Sequence, residues 1–184
     1  LKEKLIIWHE LGAHNNLMKK IPSKFWYNMV VRVFMQNIIV VPRSDRAADF
    51  ISRYCNRVLP IRIDHGVDLE KIYFFEKKEK YFVVLSQLIE RKHIDGIIDS
   101  FAVFRRKKEW QDYRLVIIGD GRLRGKLEHK VKNLQEESNI QFLGKMVHED
   151  LIPILAKAKA LLINTSKDNS MVSIVESIAA GTPV

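Results

Sequence analysis

The chain has 184 residues, of which 47% are hydrophobic and 29% are charged, a balance typical of a globular protein with a packed core. No apolar run approaches the ~20 residues of a membrane-spanning helix, and the one cysteine, Cys55, excludes an intrachain disulfide and a Cys-x-x-Cys site and favours a reducing cytoplasm. The net charge of +9 favours an anionic partner such as nucleic acid, an anionic membrane face or a phosphorylated small molecule, although a solvated basic surface would give the same charge balance.

Short apolar runs alternate with amphipathic segments along the whole chain. In order, the pattern predicts a strand at 5–8, a helix at 23–36, a strand at 37–41, a helix at 44–54, a strand at 57–63, a strand at 81–85, a helix at 94–107, a strand at 114–118, a helix at 123–135, a strand at 140–143, a helix at 149–157, a strand at 160–164 and a helix at 173–180. Strands separated by helices of about 10 to 15 residues indicate βαβ units and a parallel sheet.

A charged run at residues 75–80 separates the first series of strands from the second and is typical of an interdomain linker. We therefore predict two α/β pieces, residues 1–77 and residues 78–184. The first piece has about three strands, which is few for a doubly wound sheet, and the last four residues would normally lead into another strand. We expect the sequence to be a fragment of a longer protein.

Two acidic residues stand eight positions apart near the carboxyl end of the sequence. Asp168 falls in the loop after the last predicted strand, and Glu176 falls in the first turns of the helix that follows. Both would lie at the carboxyl edge of a parallel sheet, where open α/β folds bind ligands, and beside helix N-terminal amides that suit an anion. A carboxylate there can accept hydrogen bonds from sugar hydroxyls, but Asp168 could also cap the helix while Glu176 interacts with its dipole.

The sequence at residues 165–184 resembles the acidic-x7-Glu signature of family 4 glycosyltransferases, which have the two-domain GT-B fold. Three earlier segments resemble further parts of that family in the same order: residues 63–68 its first-domain closing segment, residues 115–124 its strand-Gly-Asp-Gly segment, and residues 140–144 its next strand and glycine turn. Each segment alone is weak, but their ordered combination is specific and covers nearly the whole chain.

This resemblance implies a fold and an activity. The fold would be α/β of GT-B type, with a parallel-sheet, Rossmann-like second domain preceded by the last part of a first Rossmann-like domain. The activity would be that of a retaining glycosyltransferase of the capsular polysaccharide, exopolysaccharide or lipopolysaccharide type. Its donor would be a nucleotide-diphosphate sugar, expected to be a UDP-sugar, and its acceptor a growing glycan or a lipid-linked acceptor.

The resemblance also implies roles for single residues. Glu176 would hold the donor ribose, and Asp168, where the family usually has Glu, would contact or orient the transferred sugar. His9 would point toward that sugar, although a histidine at a strand end is often structural. Backbone groups would contact the rest of the donor: the diphosphate or sugar at Ser170, Met171 and Val172, and the nucleobase at Lys145 and Met146.

The diphosphate also needs cations, which the family supplies as an Arg and a Lys after the first strand of its second domain. Lys92 matches the Lys, whereas Gln87 stands where the Arg is usual, and a neutral amide cannot neutralise a leaving diphosphate. Arg91 is a candidate to compensate. His93 replaces a glycine that is common in this turn. Without the resemblance, Lys92 would be interpreted as a solvated lysine at a helix start.

No metal or cofactor is expected. The sequence contains no Asp-x-Asp motif, which leaves the metal-dependent donor site of the other large glycosyltransferase fold unsupported. The glycines at positions 119, 121 and 125 miss the dinucleotide-binding fingerprint by one residue, so they predict a turn before a helix instead of a nicotinamide-cofactor site.

The basic and aromatic segment at residues 19–32 predicts either a helix on an anionic membrane surface or a core helix with a basic start. We therefore expect a cytoplasmic protein that could contact the inner face of the cell membrane peripherally. Two other functions stay open. One is a non-catalytic basic module for nucleic acid or anionic lipid, although basic residues spread over both halves argue against a nucleic-acid partner. The other is a GT-B epimerase or phosphorylase.

Overall fold

The computed structural model describes residues 6–9, 29, 33, 39–42, 45, 48–49, 52, 66–166 and 171–184. The chain divides into two compact units, Leu1–Gly66 and Val67–Val184. In the first unit, strand β1 (Ile6–His9) pairs in parallel with strand β2 (Ile39–Pro42), close to two of the predicted strands. The predicted strand at 57–63, Cys55 and most of the helices predicted at 23–36 and 44–54 lie outside the described residues.

The second unit is built on a parallel sheet of four strands, which are β3 (Tyr81–Leu85), β4 (Arg114–Ile118), β5 (Ile140–Gly144) and β6 (Ala160–Leu161). Their order across the sheet is β5–β4–β3–β6. Its helices are α1 (Ile94–Phe104), α2 (Arg124–Asn133), α3 (His148–Lys157) and α4 (Val172–Ala179). The prediction of a parallel α/β, Rossmann-like sheet is confirmed, and β3 and β4 have the predicted bounds.

Side chains from both faces of this sheet are buried. Because successive residues of a strand point to opposite faces, Val84 and Ile117 pack with residues of α1 and α2, whereas Val83 and Ile118 pack with Leu155 of α3. Helices therefore cover both faces, which explains why β3 is a continuous apolar run without polar alternation.

Five aromatic rings pack together at the amino-terminal ends of β3 and β4, with ring centroids 5.1 to 6.3 Å apart. This aromatic cluster consists of Phe82, Phe101, Phe104, Trp110 and Tyr113. The predicted helix at 94–107 ends early, at Phe104, because the chain turns there and brings Trp110 and Tyr113 back onto the ring of Phe104.

An ion pair between Arg105 and Glu136 adjoins this cluster, and each side chain is only 14% exposed. Further bonds satisfy both partners: Arg105 Nη2 donates to the carbonyl of Gln111 at 2.7 Å, and Asn139 Nδ2 donates to Glu136 Oε2 at 2.9 Å. A nearly buried pair avoids a large desolvation cost only when its remaining hydrogen-bonding groups have partners in this way.

Residues 67–80 group with the second unit, whereas the charged run favoured a boundary near residue 78. Lys78 shows what holds this segment there. Its Nζ donates to the carbonyl of Ala156 at 2.6 Å, to that of Ala180 at 3.3 Å and to Thr182 Oγ1 at 3.0 Å. The lysine thereby ties the approach to β3 to the carboxyl-terminal ends of α3 and α4, where a cation complements both helix dipoles.

Candidate functional site

The order of strands in the second unit reverses at β3. From β3 the chain adds β4 and then β5 on one side, and it then crosses back to add β6 on the other side. In open α/β sheets, ligands bind beyond the carboxyl ends of the strands that flank such a reversal. The candidate site therefore lies beyond the ends of β3 and β6.

A small pocket, called the cleft below, lies at this point. Its polar lining comes from Ser86 and Lys92, which follow β3, and from Asn164 and Thr165, which follow β6; Met171, just before α4, also lines it. Two residues that the family resemblance assigns to the same diphosphate, Lys92 and Met171, thus line a single cleft although 79 positions separate them in the sequence.

Lys92 keeps only 8% of its surface exposed. It ends a 3-10 helix of one turn, Glu90–Lys92, and the next residue, His93, has a left-handed backbone with φ 43°. Glycine adopts this conformation without strain, which explains why a glycine is common here in the family. His93 adopts it at a cost of about 1 kcal/mol, so the turn that presents Lys92 survives the substitution.

The carbonyl of Arg91 joins this turn to the segment after β6. It accepts hydrogen bonds from Thr165 Oγ1 and from the backbone N–H of Ser166, both at 3.1 Å. Ser166, two residues before the predicted sugar-binding residue, is thereby held next to the turn that ends at Lys92. That residue, Asp168, and its neighbour Ser170 lie outside the described residues.

The Gly-Asp-Gly segment forms a turn before α2, as predicted, and it packs against the loop that follows β3. Gly119 has φ 131°, and a Cβ added to it would lie 1.9 Å from the carbonyl oxygen of Ser86; one added to Gly121 would lie 2.5 Å from that of Leu88. The backbone N–H of Leu88 donates to the carbonyl of Asp120 at 3.1 Å. Glycine is required here because two backbone segments touch.

Gln87, which stands where the family has Arg, is exposed in the loop after β3, and two arginines belong to or contact the turn Glu90–Lys92. Arg91 is exposed, and Arg122 donates from Nε to Glu90 Oε2 at 2.9 Å. This hydrogen bond holds the pKa of Glu90 below its usual value and raises that of Arg122. Both partners are exposed, so the pair contributes little to stability.

Glu176 lies in the second turn of α4 and is buried, with 8% of its surface exposed. Its Oε1 lies 2.9 Å from Nε2 of His148, the first residue of α3. Because an ionised carboxylate can only accept, the imidazole donates through Nε2. The sequence does not reveal this partner, since 28 positions separate the two residues and their meeting depends on how α3 packs against α4.

The other predicted donor contacts are placed as follows. Lys145 is exposed in the loop between β5 and α3, and Met146 is half-buried against the core below α3. Val172 begins α4, and the side chain of Met171 before it makes no capping hydrogen bond. His9 ends β1 in the first unit, and its side chain lies outside the described part of the chain.

The described part of the chain contains neither a metal-binding cluster nor a helix that could span a membrane. No three His, Cys, Asp or Glu side chains there converge closely enough to hold a metal ion. No helix among the same residues has the length and apolar character needed to cross a bilayer.

Known proteins resemble this chain in sequence. It is 27% identical over 115 residues to N-acetyl-alpha-D-glucosaminyl L-malate synthase of Bacillus anthracis, a match that covers 62% of this chain and 29% of the relative. It is 25% identical over 181 residues to alpha-monoglucosyldiacylglycerol synthase of Streptococcus pneumoniae, covering 89% of this chain and 40% of the relative. The chain thus spans less than half the length of the curated relatives it matches.

The fold is also shared with solved structures. HepE of Anabaena, solved in complex with UDP and glucose, superposes with a TM-score of 0.66 at 17% sequence identity, covering 85% of this chain and 47% of HepE. Such structural neighbours are GT-B glycosyltransferases. The model of the family described as "Glycosyl transferases group 1" matches residues 68–184, which is 117 of the 184 residues. The chain therefore belongs to the group 1 glycosyl transferases.

Proposed function

We propose that the whole protein is a retaining glycosyltransferase that uses a nucleotide-diphosphate sugar, expected to be a UDP-sugar. It would transfer a hexose or an N-acetylhexosamine to a growing glycan or to a lipid-linked acceptor. The observation that supports this most is the shared cleft at the strand reversal, where Lys92 and the residue before α4 meet. The names of the relatives agree with it, since one makes a glucosyl lipid and one neighbour was solved with UDP and glucose.

The leaving group explains why a cation and helix amides belong in this cleft. When the bond to the sugar breaks, negative charge develops on the nucleoside diphosphate. Donors that are already in place stabilise that charge without reorganising. Lys92 supplies a positive charge, and the first turn of α4 supplies N–H groups at the positive end of its dipole. Arg91 and Arg122 are the candidates for the second cation that Gln87 cannot provide.

The remaining roles concern the sugar and the base. Glu176 accepts hydrogen bonds from the ribose, and the backbone at Lys145 and Met146 faces the nucleobase. Asp168 and His9 orient the transferred sugar, and the first unit contributes the acceptor side. A peripheral contact with the inner face of the membrane remains part of this proposal, as does the absence of a metal.

The test is a calorimetric titration of the full-length protein with UDP, ADP and GDP, repeated with Glu176→Ala. We expect UDP to bind and the substitution to weaken binding about tenfold or more, because a hydrogen bond to a charged group contributes roughly 1.5 to 3 kcal/mol. Glu128→Ala is the matched control, since Glu128 pairs with Arg124 on the surface of α2.

Absence of nucleotide binding, or equal affinity in Glu176→Ala, would contradict the proposed donor site. Retention is tested separately, by NMR assignment of the anomeric configuration of the product. An inverted product would refute the retaining mechanism and leave the donor site standing.

A further inference from the structure

We propose that His148 is a positioning residue, which holds the carboxylate of Glu176 in the orientation that recognises the ribose and so makes the site selective for ribonucleotides. This inference rests on the proposed function, since it assigns the ribose to Glu176. His148 itself touches the carboxylate and not the reacting atoms.

The geometry of the pair supports this role. Oε1 of Glu176 accepts from His148 Nε2 at 2.9 Å, so the second oxygen, Oε2, can face a ligand. A ribose presents two neighbouring hydroxyl groups, and a carboxylate oxygen can accept from one or both. The imidazole thus fixes one oxygen, and no hydrogen bond among the described residues occupies the other.

Burial differs between the two partners. The Glu176 side chain is 10% exposed, whereas that of His148 is 39% exposed. A glutamate has three rotatable side-chain bonds, and fixing them costs conformational entropy when a ligand binds. A hydrogen bond that exists before binding removes part of that cost, which is the general benefit of preorganisation.

The position of His148 in the fold points to the same part of the donor. It follows the loop after β5, three residues beyond Lys145, and so stands at the carboxyl edge of the sheet with the cleft. The proposed function places the nucleobase at Lys145 and Met146 and the ribose at Glu176. His148 therefore connects the segment that meets the base with the side chain that meets the adjacent ribose.

Two substitutions separate the hydrogen bond from the volume of the ring. His148→Phe keeps a planar ring but donates no hydrogen bond, which leaves the Glu176 carboxylate unpaired. His148→Gln carries an amide N–H₂ at about the place of Nε2 and can donate to the same oxygen. His129→Phe is the matched control, because His129 lies on α2 and its Nδ1 is 3.2 Å from Asn133 Nδ2, outside the site.

The experiment measures the dissociation constants of UDP, 2′-deoxy-UDP and 3′-deoxy-UDP for the full-length protein and each variant. We expect the wild-type protein to bind UDP more tightly than at least one deoxy analogue. His148→Phe should weaken UDP binding about tenfold and weaken that analogue less, so that the ratio of the two constants falls toward one. His148→Gln should restore most of the ratio, and His129→Phe should leave it unchanged.

The unfolding temperature of each variant shows whether His148 only stabilises the fold. If His148→Phe lowers the unfolding temperature but keeps the wild-type ratio of UDP to deoxy analogue, the bond only joins α3 to α4 and the inference is wrong. The proposed function then still stands, provided that Glu176→Ala weakens UDP binding. If the wild-type protein binds no UDP, the proposed donor site and this inference both fail.

Discussion

The two edges of the sheet in the second unit are built in different ways. At the amino edge, the aromatic rings pack on one another and Arg105 pairs with Glu136, so these side chains find their partners inside the protein. At the carboxyl edge, backbone contacts hold the loops, and polar side chains such as Lys92 line a cleft. Side-chain packing therefore supplies stability at one edge, whereas at the other edge backbone hydrogen bonds fix the loops around the cleft.

The largest effect should come from breaking a backbone contact at the carboxyl edge. In Gly119→Ala the new Cβ would lie 1.9 Å from the carbonyl oxygen of Ser86, at a φ of 131° that L residues rarely adopt. We expect the free energy of unfolding to fall by about 4 kcal/mol or more. Urea denaturation measures this loss.

Gly125→Ala is the matched control for that variant. Gly125 lies in α2, and a Cβ added there meets no atom within 4 Å. Alanine in a helix should raise the free energy of unfolding by up to about 1 kcal/mol. If both variants changed stability alike, the close contact of the two backbone segments would not be what holds the loop.

Next in size is the loss of a ring at the amino edge. Phe104 contacts the rings of Phe82, Phe101, Trp110 and Tyr113, and Phe104→Ala should cost about 3 kcal/mol of unfolding free energy. Nucleotide affinity should not change, because the cluster lies at the edge away from the cleft.

The neighbouring residue provides the control. Val103 is 56% exposed on the same helix, so Val103→Ala should change stability by less than about 0.5 kcal/mol. A weakened affinity for UDP in a folded Phe104→Ala protein would show that the two edges are coupled, against the separation described above.

The smallest expected effect is a pH-dependent change in stability that comes from the ionisation of one tyrosine at the amino edge. Tyr81 begins β3 and donates from its hydroxyl to the carbonyl of Ile154 at 2.7 Å; burial, aided by the charge of Glu79, raises the pKa of Tyr81 from 10.0 to about 12. The protonated Tyr81 stabilises the folded protein fully below pH 10, where the unfolded chain also keeps the proton. This contribution to the free energy of unfolding is lost as the pH rises through 12.

Tyr81→Phe should therefore cost about 1 kcal/mol at pH 8. The difference from the wild-type protein should shrink between pH 10 and pH 12, because only the wild-type tyrosine resists ionisation in the folded state. Urea denaturation at pH 8 and pH 11 measures both values. A difference that stays constant would mean that the buried hydroxyl does not titrate as described.

Much of the second unit could be predicted from the sequence because local patterns determine its strands. The run that forms β3 is continuously apolar, and in β4 only the first residue, Arg114, is polar. Both runs end at a polar or glycine residue, which is why their predicted bounds are correct. The last strand was predicted at 160–164 but pairs only over Ala160–Leu161, since its partner, β3, matches it at just Phe82 and Val83. How far a short edge strand pairs depends on its neighbour, which the sequence of the strand does not specify.

The parts of the candidate site that lie within one short segment could be predicted from the sequence. The contacts between residues far apart in the sequence could not. The turn at Lys92 and the start of α4 follow from local motifs. The burial of Lys92 and the contact between His148 and Glu176 arise only when the helices pack on the sheet, because no fixed spacing relates those residues. The left-handed backbone of His93 was hard to predict for a different reason. Histidine rarely adopts this conformation, so it could be inferred only from the glycine that the family has at this position.

The carbonyl of Arg91, which receives two hydrogen bonds from the segment after β6, has an evolutionary implication. Every amino acid offers the same main-chain oxygen, so mutation at position 91 can vary charge and length without losing this junction. Within the proposed donor site, sequence variation at position 91 can therefore change the charge that faces the ligand while this backbone junction persists.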